Sequence, residues 1–425
     1  DDYLNELDNI FDVLSYTHPY LQKAIDNEYN LTNYNHNGEK VDPYYKWMPC
    51  TNTCRDSNCN NCEETDYYIY PNYTKSLNVP VICFPRGIKN YKDFSERVPV
   101  FSYEEFADKI DLARKGENNI FWSSKIKWFA KSSGTTNAKS KFIPVSNESL
   151  EDCHYAAGKD LLCMYLNNNP NSQLFTGKSL RLGGSKSPYE KNGTFYGDLS
   201  AILIDNMPFW AEFSSTPSNK TSLMNDWNYK IDAIINETLN ENVTSLAGVP
   251  SWMLVLLNKI LEKSNKEYIS EQWPNLEVYF HGGVSFKPYL NQYKSLINSE
   301  SMKYYEIYNA SEGFFAFQDQ PDSNGMLLQL DSGIFYEFIP ADQFFEESPP
   351  RFGLSEVEVG VNYVIIISTS AGLWGYNIGD TVMFTSTSPY RVVVTGRIKH
   401  FISAFGEHVI GKEVEQALLL ATENT

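Results

Sequence analysis

The sequence predicts an α/β fold. We expect a large multi-subdomain N-terminal domain, in which α/β sheets are layered with helices and a β-rich subdomain is included, followed by a truncated small α+β C-terminal domain. Two observations support this prediction. Strand-like and helical apolar patterns alternate through the middle of the chain, which is typical of an α/β core. From about residue 304, one strand-like run follows another across short turns, which favours a β-rich subdomain. We assign residues 1–395 to the large domain and 396–425 to a hinge and the start of the C-terminal domain.

Composition and charge exclude several classes of partner. The 425 residues are 42% apolar and 15% aromatic, which is enough for a large core. The net charge of −18 argues against a nucleic-acid partner, because phosphate backbones repel such a surface. No run of about 18 apolar residues occurs, so no membrane span is predicted. We expect a cytoplasmic protein and favour a monomer. Because the chain starts at Asp1, we also expect an N-terminal segment to precede it.

Predicted elements follow one another in order. The first 30 residues have the periodicity of an amphipathic helix. Apolar runs predict strands at 126–130 and 141–145, and Ser146 can cap a helix that ends near Leu166. A strand at 243–247 precedes Pro250, which suits the first turn of a helix over 251–262. Further strands are predicted at 276–280, 304–308, 326–330, 334–339, 363–369, 373–384 and 391–395. The helix expected from about Lys412 would lack partners for its apolar face, so we expect the C-terminal domain to continue beyond Thr425.

The seven cysteines fall into two groups. Four lie in the pattern C-x3-C-x4-C-x2-C, within a segment (33–80) that we interpret as an insertion or surface excursion; they are Cys50, Cys54, Cys59 and Cys62. This spacing could hold a structural Zn²⁺ or form two disulfides, although it matches no standard zinc pattern, and an unbound loop is the third alternative. The isolated thiols, Cys83, Cys153 and Cys163, are interpreted as buried in a reducing compartment.

The run from Lys131 to Lys141 is the strongest functional signal. It contains five hydroxyl side chains, three lysines and a glycine between two predicted strands. Hydroxyls, free backbone groups and cations together suit a polyphosphate. A Walker A loop would need glycine at position 139 and a helix directly afterwards, whereas here Lys139 is followed by a strand. We therefore predict a phosphate-binding loop of another kind.

Three later motifs carry charged side chains on turns. Glu312 follows a predicted buried strand within Tyr308–Phe315, where one carboxylate suits a Mg²⁺ held against phosphate oxygens. Asp380 ends Trp374–Asp380, and its two oxygens can accept both hydroxyls of a ribose. The motif Thr395–His400 carries Arg397 and Lys399. Each motif alone is more often an ordinary turn or cap, so their order and spacing are what indicate function.

In that order, the four motifs resemble those of the adenylate-forming superfamily, which comprises acyl-CoA synthetases, adenylation domains of peptide synthetases and luciferases. Five runs make the chain more similar to one group, the Gretchen Hagen (GH3) family of auxin-responsive acyl-acid amido synthetases, and in particular to its bacterial members. The resemblance covers roughly residues 94–420. The runs are Phe129–Thr136, Tyr196–Ala201, Gly248–Met253, His281–Val284 and Tyr308–Phe315.

The resemblance implies ATP-dependent activation of a carboxylic acid as an acyl-adenylate, followed by acyl transfer to an amine, typically that of an amino acid. Carboxylates are poor acyl donors, so AMP replaces oxide as the leaving group. Fixed donors and a metal ion usually stabilise the charge that gathers on the phosphoryl oxygens. Transfer to a thiol such as CoA is one alternative, and a regulatory protein that binds a nucleotide or an acyl-adenylate without turnover is another.

The resemblance also implies roles for individual residues. Phosphate binding is expected at the hydroxyl-rich loop, and Glu312 is expected to bind Mg²⁺. Lys399 would lie at the hinge on which the C-terminal domain rotates between the two reactions. The phosphate-binding residues would be Ser132, Ser133, Thr135 and Thr136, helped by Lys139 or by Lys141, which with Lys399 is expected to serve catalysis. The adenine slot would be lined by Gly282, Gly283, Val284 and Tyr308, and the ribose would be held by Asp380 and Arg397.

The chain also departs from the family pattern. Gly375 stands where the family usually has arginine between the tryptophan and the tyrosine, which removes a cation or a packing stem near the nucleotide. His408 replaces a commonly acidic residue near the hinge. The C-terminal lysine that stabilises the adenylation transition state in the superfamily would lie beyond Thr425. Gly375 and the absence of this lysine from the sequence support the regulatory alternative.

Overall fold

The computed structural model describes residues 90–117, 120, 122, 125–132, 140–184, 187–321, 323–398, 402–404 and 407–409. The predicted N-terminal helix, the Cys50–Cys62 cluster, Cys83 and the predicted helix from about residue 412 lie outside these residues. Within them, Cys153 and Cys163 are buried free thiols, as the sequence predicted. No helix of the described part is both long and apolar enough to cross a membrane.

Ten α-helices are numbered here along the described chain. They are α1 Tyr91–Arg97, α2 Tyr103–Arg114, α3 Ala156–Asn168, α4 Leu199–Asp205, α5 Phe209–Phe213, α6 Asn219–Ser222, α7 Trp227–Thr238, α8 Pro250–Ser264, α9 Ile269–Gln272 and α10 Leu290–Ile297. A π-helix, Ser149–Tyr155, leads directly into α3. Short 3₁₀ turns lie at Leu174–Thr176 and Leu354–Glu356.

The strands form two large sheets and one hairpin. They are β1 Trp128–Ser132, β2 Lys141–Val145, β3 Lys178–Leu182, β4 Tyr189–Lys191, β5 Thr194–Gly197, β6 Ser215–Thr216, β7 Val243–Gly248, β8 Val278–Gly282, β9 Lys303–Ala310, β10 Gly313–Phe317, β11 Met326–Leu328, β12 Ile334–Pro340, β13 Asn362–Thr369, β14 Tyr376–Thr387, β15 Tyr390–Arg397, β16 Ile402–Ala404 and β17 Glu407–Val409. The last two form the hairpin.

The main sheet has eleven strands in the order β12-β13-β14-β15-β11-β10-β9-β8-β7-β3-β6. From β6 to β9 the strands are parallel, and from β9 to β12 they are antiparallel. The α/β fold class is confirmed. The β-rich region is, however, not a sheet of its own: it is the antiparallel half of a sheet whose other half carries the helices. Strand β9 is the point at which the two halves meet.

Two apolar clusters cover the faces of the parallel half. One cluster packs α7, α8 and α10 on β3, β7 and β8, with Leu257 and Tyr279 fully buried. The larger cluster lies on the opposite face and extends from Phe94 in α1 to Val392 in β15. It includes side chains of the smaller sheet, whose order is β2-β1-β5-β4. The residues between the two sheets therefore belong to one continuous core.

The helix predicted after Ser146 differs from the observed one in its first turns. Ser146 does cap the segment, because its Oγ accepts the Ser149 N–H at 3.0 Å, and it donates to the Ser370 carbonyl at 2.9 Å. The chain then forms the π-helix before α3 begins. A π-helix adds a residue to a turn, is rare and is frequent at functional sites. Apolar periodicity does not distinguish it from an α-helix, so the sequence did not predict it.

Candidate active site

The best-defined polar cluster of the candidate site joins three strands. Asp380 of β14 lies opposite Arg397 of β15, and Arg397 Nε lies 2.9 Å from Asp380 Oδ1. Tyr308 of β9 donates its hydroxyl to Asp380 Oδ2 at 2.9 Å. Burial raises the pKa of Asp380, although Arg397 and the Tyr308 hydrogen bond act in the opposite direction. The structure thus brings together three residues that the sequence assigned to the adenine slot and the ribose.

Glu312 lies beside this cluster. Ala310 and Gly313 are paired across β9 and β10, so Ser311 and Glu312 form the turn between the two strands. The pKa of Glu312 is raised to about 7, because burial and, to a smaller extent, the charge of Asp380 outweigh the lowering effects of Lys141 and Arg397. Two carboxylates and two cations therefore act on one another at this end of the sheet.

Lys141 and Ser132 mark the two ends of the hydroxyl-rich loop. They are paired residues of the antiparallel strands β1 and β2. The sequence predicted a strand on each side of the run but not their pairing. Lys141 Nζ lies 5.1 Å from the centre of the Tyr103 ring, and the Tyr103 hydroxyl accepts the Phe142 N–H at 2.8 Å. Four of the predicted phosphate-binding residues, Ser133, Thr135, Thr136 and Lys139, lie outside the described residues, and so does Lys399.

The two glycines at the end of β8 have a structural reason for their identity. A Cβ at Gly282 would lie 2.5 Å from the carbonyl oxygen of Ile307 on the neighbouring strand β9. Gly283 has φ +83°, a conformation that favours glycine. Strand packing and backbone conformation thus explain these glycines without a flat ring bound beside them. Val284, which follows them, is 42% exposed and is available to a ligand.

Gly375 is also fixed by the fold. Its φ is +49°, and a Cβ would lie 2.5 Å from the carbonyl oxygen of Pro99. Its carbonyl accepts the Phe101 N–H at 2.8 Å, so the segment between α1 and α2 lies directly against it. Glycine in place of the family's arginine at position 375 therefore accompanies a close backbone contact that an arginine side chain would disrupt.

Two tyrosines of the site were not identified from the sequence. Tyr103 in α2 holds the start of β2, next to Lys141. Tyr376, at the start of β14, is buried, and the charge of Glu312 contributes to the increase in its pKa, whose main cause is burial. Tyr376 lies inside a motif that the sequence did single out. Tyr103 carried no signal, because its role depends on contacts between α2 and β2 that no local pattern reports.

The side chains present fit a metal-bound polyphosphate. Glu312 supplies carboxylate oxygens, which Mg²⁺ prefers, and Lys141 supplies a charge that phosphate oxygens require. Within the described residues, no group of three or more His, Cys, Asp or Glu side chains could hold a metal ion. A cation shared between Glu312 and phosphate oxygens is compatible with that finding.

Comparisons with known proteins show which family the chain resembles. Two family profiles match: the GH3 family N-terminal domain over residues 82–302 and the GH3 family central domain over residues 327–397. The chain is 24% identical over 363 residues to indole-3-acetic acid-amido synthetase GH3.4 of Arabidopsis thaliana, covering 70% of this chain and 60% of that protein. It is 24% identical over 360 residues to the 4-substituted benzoates-glutamate ligase GH3.12 of the same plant, covering 69% and 60%.

A solved structure, the GH3.15 acyl acid amido synthetase, is 18% identical, with a TM-score of 0.65, and the match covers 79% of this chain and 68% of that one. This likeness concerns the fold alone. The chain spans 60% of the length of the two curated relatives it matches. The N-terminal profile by itself covers more than half of the 425 residues and the central profile covers most of the β-rich half, so the chain belongs to the GH3 family.

Proposed function

We propose that this protein uses ATP and Mg²⁺ to activate a carboxylic acid as an acyl-adenylate and then transfers the acyl group to an amine of an amino acid, forming an amide. The observation that carries the proposal is the cluster of Tyr308, Asp380 and Arg397 beside Glu312. It lies at the junction of the parallel and antiparallel halves of the sheet, next to Lys141 at the end of the hydroxyl-rich loop. The two relatives are an amido synthetase and a benzoates-glutamate ligase, which favours an amine over a thiol as acceptor.

The residues of the site have complementary tasks in the first step. A substrate carboxylate oxygen attacks the α-phosphorus of ATP, and pyrophosphate leaves. Ser132, Ser133, Thr135 and Thr136, with Lys139 or Lys141, would hold the phosphates. Glu312 would hold Mg²⁺, which neutralises charge on the phosphoryl oxygens. Since one oxygen of Asp380 contacts Arg397 and the other accepts from Tyr308, the ribose hydroxyls would use the remaining lone pairs.

The second step needs a different set of groups around the same acyl-adenylate. The amine nitrogen attacks the acyl carbon, AMP leaves with the bonding electrons, and the nitrogen loses a proton. We propose that residues 1–395 form the large domain and that Lys399 lies at the hinge on which the C-terminal domain rotates between the two steps. Gly282, Gly283 and Val284 would face the adenine throughout.

ATP–pyrophosphate exchange tests this function directly. The natural full-length protein is incubated with ATP, Mg²⁺, labelled pyrophosphate and a panel of aliphatic and aromatic acids. Exchange that depends on one class of acid is expected, and chelation of Mg²⁺ should abolish it. Mass spectrometry of products formed with amino acids or with CoA then distinguishes an amide from a thioester. Absence of exchange with every acid would contradict the proposal and favour a nucleotide-binding regulatory protein.

Further proposals concern location, assembly and the segment before residue 80. We propose a cytoplasmic location, with which the free, buried Cys153 and Cys163 are consistent, and we propose a monomer. Cys50, Cys54, Cys59 and Cys62 would hold a structural Zn²⁺, form two disulfides or remain unbound. Metal analysis together with thiol counting on the purified protein decides among the three, because one Zn²⁺ per chain, the loss of four thiols, or neither is expected, respectively.

A further inference from the structure

Arg181 of β3 has a half-buried guanidinium whose donors are poorly satisfied. Its Nη1 contacts the Met207 thioether at 2.6 Å, and its Nη2 donates to Asn219 Oδ1 at 3.4 Å. Its Nε is shielded from solvent and has no hydrogen-bond partner among the described residues. A thioether is a weak acceptor, and 3.4 Å is a long hydrogen bond. The fork of the guanidinium therefore lacks the strong acceptor that its geometry suits.

Four other cations with buried or half-buried side chains have strong acceptors. Arg114 pairs with Asp111, Arg351 with Glu337, and Arg391 makes two contacts with Asp319. The ammonium group of Lys230 donates to the carbonyls of Gly183 and Gly184. A charge removed from water without such partners is costly to the fold, and proteins normally avoid it. The lack of a strong acceptor for Arg181 in the described part of the chain thus calls for a ligand.

The position of Arg181 also indicates a ligand. It lies next to the carboxyl end of β3, in register with Ala247 of β7 and Phe280 of β8. In α/β sheets, ligands bind outside the carboxyl ends of parallel strands. In the sheet order β9-β8-β7-β3, Arg181 is three strands away from the strand that carries Tyr308, or about 14 Å at roughly 4.8 Å per strand. A substrate joined to a bound nucleotide can span that distance.

The surroundings combine apolar surface with few polar groups, as small-molecule sites do. Tyr155 ends the π-helix nearby, and its hydroxyl donates to the Leu203 carbonyl at 2.9 Å. Just after Met207, α5 exposes Phe209 to 82% and Phe213 to 57%. Glu212 of α5 is the acid whose charge acts on Arg181, but its exposed carboxylate forms no ion pair with Arg181 in the described structure. Burial lowers the pKa of Arg181 to about 10, so it remains a cation at neutral pH.

We infer that Arg181 binds a carboxylate of a substrate other than the carboxylate that is activated. The inference rests on the proposed function and narrows its substrate class. Either the acid has a second carboxylate, or the acceptor is an amino acid bound by its α-carboxylate. A guanidinium matches the two oxygens of a carboxylate with two parallel hydrogen bonds, which an ammonium group cannot reproduce.

The test uses paired substrates and three variants of the full-length protein. Glutarate is compared with pentanoate, and 1,4-benzenedicarboxylate with 4-methylbenzoate, in pyrophosphate exchange. Each standard amino acid is compared with its amide as acceptor. Arg181→Gln removes the guanidinium, and Arg181→Lys keeps the charge without the fork. Lys220→Gln is the matched control, since it removes an exposed cation one residue from Asn219.

Either among the acid pairs or among the acceptor pairs, kcat/KM should be at least tenfold higher for the compound that has the extra carboxylate. Arg181→Gln should lower kcat/KM at least tenfold for the compound with the extra carboxylate and less than threefold for its paired compound. The kcat/KM of Arg181→Lys should lie between those of Arg181→Gln and the unaltered protein, and Lys220→Gln should have the kcat/KM of the unaltered protein. An equal loss for both members of every pair would show a structural role and overturn the inference, as would no loss at all.

Calorimetric binding of the same compounds separates this inference from the proposed function. If no acid supports exchange, the proposed function fails, but binding can still be compared between the unaltered protein and Arg181→Gln. Weaker binding of only the carboxylate-bearing members in Arg181→Gln would uphold the anion site. Equal binding by the two proteins, including no binding by either, would overturn it.

Discussion

Asp380 is the residue on which the candidate site depends most. It receives a hydrogen bond from β9 and an ion pair from β15 while it lies in β14, so one carboxylate fixes the relative position of three strands. Both bonds go to a charged acceptor and are therefore stronger than neutral ones. A nucleotide that used the free lone pairs would meet a group already held in place, which reduces the cost of ordering it on binding.

Tyr308→Phe tests this arrangement. It removes the hydroxyl that donates to Asp380 Oδ2 and keeps the ring, which packs against Phe315 at 4.9 Å. A hydrogen bond to a charged group contributes about 1.5–3 kcal/mol, so we expect KM for ATP in pyrophosphate exchange to rise at least about tenfold. Tyr229→Phe, which removes the hydroxyl of an exposed tyrosine on α7, should leave KM unchanged. Equal KM values for the two variants would contradict the role of Tyr308.

Gly375 gives a second prediction at this scale. Because of its φ of +49° and the Pro99 carbonyl, Gly375→Ala should destabilise the protein by at least about 1–2 kcal/mol, and Gly375→Arg by no less. The control is Gly158→Ala in α3, where nothing lies within 4 Å of the added Cβ, and this change should stabilise by about 0.5–1 kcal/mol. Urea midpoints measure both. A Gly375→Arg variant as stable as the unaltered protein would show that the family's arginine fits here.

Between elements, a pair of buried carboxyl groups connects α3 to the turn after β11. Burial raises the pKa of Asp160 well above its ordinary value, and the charge of Asp331 adds to this effect. Burial also raises the pKa of Asp331 to about 7. The folded protein therefore keeps protons that the unfolded chain releases above about pH 4. The stability that these two groups contribute should be highest at low pH and fall as the pH rises from about 4 to 7.

Asp331→Asn should remove part of that dependence. At pH 7.5 the variant should be more stable than the unaltered protein, with a melting temperature at least about 2 °C higher, since about 1 kcal/mol shifts Tm by that amount in large domains. At pH 4.5 the two proteins should differ little. Asp232→Asn, at an exposed position of α7, should have the same small effect at both pH values. A constant difference between Asp331→Asn and the unaltered protein across pH would refute the explanation.

Elements with strong local signals were predicted well, and elements defined by contacts were not. The bounds of β2 match the predicted 141–145, and Pro250 starts α8 as expected. The strand predicted from 373 begins instead at Tyr376, because Gly372 and Gly375 adopt positive φ and hold the preceding loop. Strand β10 was not identified: its run Gly313–Phe317 is buried throughout and shows no alternation. Arg181 escaped notice because a lone arginine has no sequence pattern.

At the scale of the whole molecule, the sequence did not reveal that its β-rich half shares a sheet with its α/β half. The junction depends on β11 pairing with β15, more than sixty residues later, and on β9 having one parallel and one antiparallel neighbour. Such long-range pairings leave no periodic signal in either strand. Of the four motifs, the structure describes Tyr308–Phe315 and Trp374–Asp380 in full, and their charged residues Glu312 and Asp380 lie near each other although the sequence separates them by 68 positions.

The shared sheet predicts that the two halves unfold together. One apolar cluster runs from α1 to β15 and includes side chains of β8 and β9, so neither half can separate without exposing that core. Unfolding in urea should give coincident transitions by tryptophan fluorescence and far-ultraviolet circular dichroism. Leu257→Ala in α8 and Phe384→Ala in β14 create cavities at fully buried sites of different halves. Each should destabilise by about 2–5 kcal/mol and shift the whole transition to lower urea.

The alternative, a β-rich subdomain that folds alone, makes the opposite prediction. Two transitions would appear, with Leu257→Ala moving one of them and Phe384→Ala the other. Tyr229→Ala, at a side chain that is 72% exposed, is the control and should move the midpoint by no more than about 0.5 kcal/mol. A single shifted transition in both core variants would mean that the candidate site at β9 is stabilised from both halves of the sheet. Ligand binding there should then raise the stability of the entire described sheet, because binding to the folded state alone shifts the folding equilibrium of everything that unfolds with it.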